Sequence, residues 1–214
     1  MKIRSITSFY DPTKKNADET LEILSGLAKE GKKSCNGQGY EVQTLRLATV
    51  PFPLFTSDRS PDQMIQLAKS MENKARENGF DYLALGPALI THPESYEIIS
   101  DLISETESTF FSGIMADNET GVSIRAIQQC AKIITRNSIL EENGFANLRF
   151  SALANVKPCG PFFPGSYHQP GKPPAISIAV EGADEVVNAF SSAHNLLEAR
   201  KNLLESLEKH ASQL

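Results

Sequence analysis

Apolar strand patterns alternate with amphipathic helix patterns along this chain, and that rhythm limits its folding more than any other feature. Strand patterns start near residues 2, 40, 80, 109, 148 and 175. Ala17–Cys35 places Leu21, Leu24, Leu27 and Ala28 at helical spacing. A second helix opens at Ser60-Pro61 with Gln63 three residues after Ser60, the pattern of an N-cap, a proline in the first turn and a capping box. Met64, Leu67, Ala68, Met71 and Ala75 line it, and Asn78-Gly79 ends it. Phe80–Leu85 is almost wholly apolar, as a strand covered on both faces would be. Further helices are read after His92-Pro93, after Ser123, and from Asp184 to about Lys209. The stripe of the last one extends to Leu207 and Leu214.

Six βα units predict one α/β domain over residues 1–214 with a mostly parallel sheet, either part of a barrel or an open doubly wound sheet. Right-handed crossovers would gather the loops after the strands on one rim, where α/β sheets bind ligands. Those loops are 10–16, 48–60, 86–93, 116–122, 154–174 and 181–183.

Charge is spread unevenly. The chain carries 21 basic and 26 acidic residues, a net −5 that argues against nucleic-acid binding. From Asn143 to Val180 there is no Asp or Glu, where the chain average would give about four or five. Arg149, Lys157 and Lys172 lie in this window, with six of the 12 prolines. Such surroundings favour a small anionic metabolite. Within it, Asn155–His168 is the most unusual stretch. Phe162, Phe163 and Tyr167 can wall a pocket whose polar groups are Lys157, Cys159, Ser166 and His168. Neighbouring cations would activate Cys159 as a nucleophile, with His168 as its partner. The competing structural reading is a rigid apolar plug. Asp117, beside Asn118 and Glu119 on the same rim, is a candidate acid–base group, or else a solvated acid near the cap of the next helix.

Other chemistry is not signalled. No histidine pair has metal-ligand spacing, and no phosphate-loop, flavin or pyridoxal signature names a cofactor. Gly37-Gln-Gly39 precedes a strand, whereas a dinucleotide fingerprint follows one. His92 reads as a cap, and His194 and His210 as polar-face residues. Cys35 and Cys130 fall at buried helix positions. Three cysteines without CxxC, no secretory apolar core in the opening residues and no membrane-length apolar run together give a cytoplasmic expectation.

Several stretches resemble one family. The opening Met1-Lys-Ile-Arg-Ser-Ile-Thr, Phe110-Phe-Ser-Gly113, Gly121-Val-Ser and Ala154-Asn155 are similar to the uncharacterised bacterial and archaeal family known as domain of unknown function 711. Pro161-Phe-Phe-Pro-Gly-Ser-Tyr-His168 and the Gly182 turn carry the resemblance furthest. The resemblance implies a pyruvate formate-lyase-like α/β barrel with the motif loop near its interior, of which this chain matches the N-terminal half. It transfers no radical chemistry, since no glycyl radical site is present. Two functions follow as expectations: an enzyme-like protein binding an anionic metabolite through residues 155–172, or a non-catalytic half-barrel completed by a second copy or a partner chain.

Overall fold

The computed structural model describes residues 1–56 and 58–213, so Leu214 at the end of the last apolar stripe lies outside the described residues. Seven strands form one sheet: β1 (Lys2–Tyr10), β2 (Val42–Thr49), β3 (Tyr82–Ala88), β4 (Thr109–Asp117), β5 (Gly121–Val122), β6 (Phe150–Ala154) and β7 (Ala175–Glu181). Between them lie α1 (Ala17–Gly37), α2 (Pro53–Thr56), α3 (Pro61–Glu77), α4 (Ile99–Glu105) and α5 (Ile124–Asn137). α6 (Ala183–Ser191) and α7 (Leu196–Ala211) follow the last strand.

Strands β1, β2, β3, β4 and β6 are parallel and stand side by side in that order. The order never reverses, so the sheet has no switch point and is not doubly wound; it is also not closed. With right-handed crossovers, a one-way order puts every connecting helix on one face. Alternation does the rest. Leu45 and Leu47 of β2 enter the main core beneath the helices, while Arg46 and Ala48 point to the other, inner face. On the helix side, Leu21, Leu24, Leu83, Ile99, Leu102, Ile103 and Phe111 form the buried core. The inner face holds a smaller cluster of Phe9, Ala48 and Ala84.

Several boundaries differ from the sequence reading for identifiable reasons. Ser60 and Gln63 close the capping box as expected. The register of β1 shifts between Ile3 and Ser5, so Ile3 joins Ile6 in the main core and leaves Ser5, Thr7 and Phe9 on the inner face. The helix expected after Pro93 is a 3-10 turn (Pro93–Tyr96) followed by the short α4. The start expected at Leu148 is another 3-10 stretch, Glu142–Arg149, bent at Asn143 and Gly144, both at positive φ. The terminal helix breaks into α6 and α7 around Asn195, whose side chain caps α7. β5 was hidden in sequence because two residues carry no period.

The largest correction concerns the sixth unit. β7 runs antiparallel and pairs with β1, at the opposite edge from β6. A parallel crossover needs a helix, and the proline-rich stretch between Ala154 and Ala175 forms none. That segment instead crosses the inner face of the sheet.

Candidate functional site

The crossing loop starts at the C-terminal end of β6 and ends beside Phe9, at the C-terminal end of β1. Between these points it dips onto the inner face. The Pro161 carbonyl accepts from the hydroxyls of Ser5 and Thr7, each at 3.4 Å. Phe163, followed by a cis bond to Pro164, meets Phe110 edge-on at 5.3 Å. Further along, the loop returns to the rim, where the His168 N–H donates to the Thr49 carbonyl at 2.9 Å.

This path brings Cys159 and His168 together. The Cys159 Sγ lies 3.7 Å from His168 Nδ1. On the other side of the ring, Nε2 is 3.1 Å from the Lys172 carbonyl. A carbonyl only accepts, so Nε2 carries the proton and Nδ1 presents its lone pair to the thiol. His168 is 1% exposed, and burial lowers its pKa below 6.5, against an opposing pull from the Lys172 carbonyl. The ring is therefore a neutral acceptor at pH 7.

Cys159 itself adopts φ 62°, a left-handed geometry that costs a non-glycine residue about 1–2 kcal/mol. Its neighbours hold it there. Its N–H donates to the Tyr167 carbonyl at 2.7 Å, and its carbonyl accepts from Ser177 Oγ at 2.7 Å. The thiol is half-buried against Phe9, Ala48 and Ala84. A partly accessible thiol, an oriented base and a carbonyl that fixes the base are the parts a cysteine nucleophile uses.

The remaining sequence candidates are placed differently. Ser166 and Tyr167 are buried, and both hydroxyls are spent within the loop: Ser166 Oγ donates to the Gly160 carbonyl and Tyr167 Oη to the Val156 carbonyl. They shape the loop. Phe162 is 68% exposed, and Lys157 is exposed with no ion pair among the described residues. Arg149 lies at the opposite rim, before β6, where it donates to the Thr106 carbonyl and pairs with Glu141. Asp117 sits in the β4–β5 hairpin. Its Oδ1 accepts from the backbone and side chain of Thr120 and the backbone of Glu119, and these bonds lower its pKa.

Arg46 was missed by sequence reasoning. It stands on the inner face with its guanidinium carbon 5.2 Å from the Phe163 ring centroid and 5.7 Å from that of Tyr82. The available signal was Thr44 and Arg46 alternating with Leu45 and Leu47, a polar face on an otherwise apolar strand.

Clefts also open elsewhere. One, about 370 Å³, lies on the helix side between Phe52, Met64 and Ile98, and its rim holds Arg59, Glu94, Glu97 and Asp101. Its acids would repel an anion, and neither Cys159 nor His168 lines it. The inner-face loop holds Cys159 and His168. Among the described residues no three His, Cys, Asp or Glu side chains are grouped to hold a metal ion. No helix there is long and apolar enough to cross a membrane.

A family model described as Uncharacterised ACR (DUF711) matches residues 1–214, the whole loop included. The chain belongs to this family. DUF711 relatives carry the name UPF0210 protein. One from Pyrobaculum islandicum is 27% identical over 174 residues, covering 77% of this chain and 38% of that protein. One from Methanosarcina acetivorans is 24% identical over 195 residues, covering 83% and 41%. One from Halothermothrix orenii is 23% identical over 192 residues, covering 86% and 41%. The chain thus spans about two-fifths of the length of these DUF711 relatives.

Proposed function

We propose that this DUF711 chain binds a small anionic metabolite under the 155–172 loop and acts on it through Cys159, with His168 as the base. The observation that carries this reading is the orientation of His168. Its Nε2 proton is held by the Lys172 carbonyl, so its free lone pair faces the Cys159 thiol at 3.7 Å. When the thiol attacks an electrophilic carbon, its proton passes to Nδ1. The acid-free stretch from Asn143 to Val180 supports an anion as ligand. Three free thiols support a reducing, cytoplasmic setting.

The test is a thermal-shift screen of small carboxylates and phosphates. A ligand at 100 times its Kd adds about 2.7 kcal/mol of stability. A hit should weaken on Lys157→Ala or His168→Ala. No hit, or a shift indifferent to both substitutions, overturns the reading.

A second reading has its own support: a half-barrel of the pyruvate formate-lyase type, completed by a second copy or another chain. Among the described residues each end strand, β6 and β7, pairs on one side only. Ile176, Ile178 and Val180 of β7 are 39–46% exposed, and in the stretch leading into β6 Ile139, Phe145 and Leu148 are 56–83% exposed. An oligomer in light scattering at micromolar concentration supports it; a monomer that binds ligand favours the first reading.

A further inference from the structure

The inner face carries a cation whose role in the fold is incomplete. Arg46 Nε donates to Thr44 Oγ1 at 2.9 Å, and Thr44 Oγ1 in turn donates to the Arg4 carbonyl. Tyr82 and Phe163 stand against the guanidinium, and Phe110 locks both rings edge-on at 5.2 and 5.3 Å. The side chain is thereby fixed by one hydrogen bond and three aromatic rings. Among the described residues its two terminal nitrogens donate to no partner.

Among the described residues no carboxylate forms an ion pair with this cation, although the charge of nearby Asp81 favours it. By contrast, Arg4 pairs with Glu181 and Arg149 with Glu141. The nearby Asp81 spends Oδ2 on the Leu45 N–H. The loop covering Arg46 belongs to the acid-free stretch, so no acid arrives from above. Burial and then the like charge of Arg4 disfavour the cation, while Tyr82 and Asp81 act the other way, and a guanidinium stays protonated at any physiological pH. A half-buried, pre-positioned cation with an open fork is built for an anion supplied from outside.

We infer that Arg46 is a subsite for the carboxylate of the molecule on which Cys159 acts. This inference rests on the functional reading above and adds its substrate class. The two terminal NH2 groups match the two oxygens of a carboxylate side by side. Arg46 and Ala48 are next-but-one on the same face, about 7 Å apart, and Cys159 packs against the cluster containing Ala48. The substrate is accordingly a carboxylic acid with an electrophilic carbon that can reach Cys159 from the Arg46 side of the inner face.

The experiment is an NMR titration of the ¹⁵N-labelled chain with sodium acetate, sodium succinate, sodium phosphate and sodium chloride at constant ionic strength. Acetate or succinate should shift the Arg46 Nε–H signal and the Thr44 amide saturably, and chloride and phosphate should not. Arg46→Lys, which keeps the charge but loses the fork, should weaken binding at least ten-fold, and Arg46→Gln should abolish it. Should either variant fail to fold, saturation at the native Arg46 Nε–H still decides. Unsaturable shifts, equal shifts with chloride, or tighter binding of phosphate overturn the assignment. Cys159→Ser should leave acetate binding unchanged. If acetate binds while Cys159 proves inert, the subsite stands and the nucleophile reading falls; if Cys159 reacts and acetate does not bind, the reverse holds.

Discussion

His168→Gln should slow alkylation of Cys159 by iodoacetamide about a hundred-fold at pH 7, and Cys159 should be the only thiol of the native chain to react readily. Cys35 is 9% exposed and Cys130 is 1% exposed. Burial pushes the Cys130 thiol up to about 11 from its ordinary 9.0, so its thiolate is about a hundred-fold scarcer at neutral pH before access is considered. At Cys159 the base matters more. With its pKa lowered by burial, His168 is neutral at pH 7 and does not hold a resting imidazolium–thiolate pair. It takes the proton as the sulfur attacks. Such general-base help is worth about 10²–10⁴, and a 3.7 Å contact places this pair at the lower end, about 2.7 kcal/mol. Second-order rates from pH 5 to 9, read by intact mass and peptide mapping, measure it. The native rate should stay high down to the titration of His168, below pH 6.5, while the variant should show the steep pH dependence of an unassisted thiol. Equal rates at pH 7, or fast labelling of Cys35 or Cys130, would refute the reasoning.

Other consequences of the structure are measurable by unfolding. Glu72 of α3 is 5% exposed, and its Oε1 accepts from the backbone N–H groups of Glu107 and Ser108 and the hydroxyls of Ser108 and Thr109. Glu72→Ala strands two backbone donors and should lower stability by about 2–5 kcal/mol in urea titrations, with a loss under 1 kcal/mol counting against it. Asn137 is fully buried with neither amide atom partnered among the described residues, so Asn137→Leu should be neutral or stabilise by about 1 kcal/mol. A clear loss would mean the amide is satisfied after all. Glu185 accepts from Ser206 Oγ and pairs with the Met1 amine and His210, contacts that lower its pKa from 4.5 to about 2. Because the folded value is the lower one, this contribution is intact above about pH 4.5 and lost as the pH falls toward 2. Glu185→Gln should flatten the acid limb of the stability curve in that window, and an unchanged limb would exclude the role.

The sequence made the helix side of this molecule legible because each element there repeats its own period. Leu21, Leu24 and Ala28 on α1, and the Ser60–Gln63 box on α3, encode local structure without reference to anything distant. The inner face was not legible in the same way. Which edge β7 joins depends on the route of a 20-residue loop with no periodicity, and the fate of Ile3 turns on a single register shift. At the site, residue types in one short segment drew attention to Cys159 and His168, which the loop does bring together. Arg46 comes from a distant strand, so its place beneath Phe163 follows only from the fold. Tyr40 and His210 met the same limit. Their 2.7 Å hydrogen bond ties α7 back to the end of α1, and nothing in either local sequence announces it.

The pairing of β1 with β7 sets Lys2 opposite Glu181 and Phe9 opposite Ala175. β1 is therefore an interior strand of the sheet, and one of its two partners lies far along the sequence from it. Until residues 175–181 have been made, its outer edge keeps unpaired backbone groups. The same contact closes the longest loop in the fold, so it imposes high contact order on a domain whose other strand pairs join sequence neighbours. Cys159 and His168 lie in the segment that delivers β7 to that edge, so their approach to each other is tied to the β1–β7 pairing.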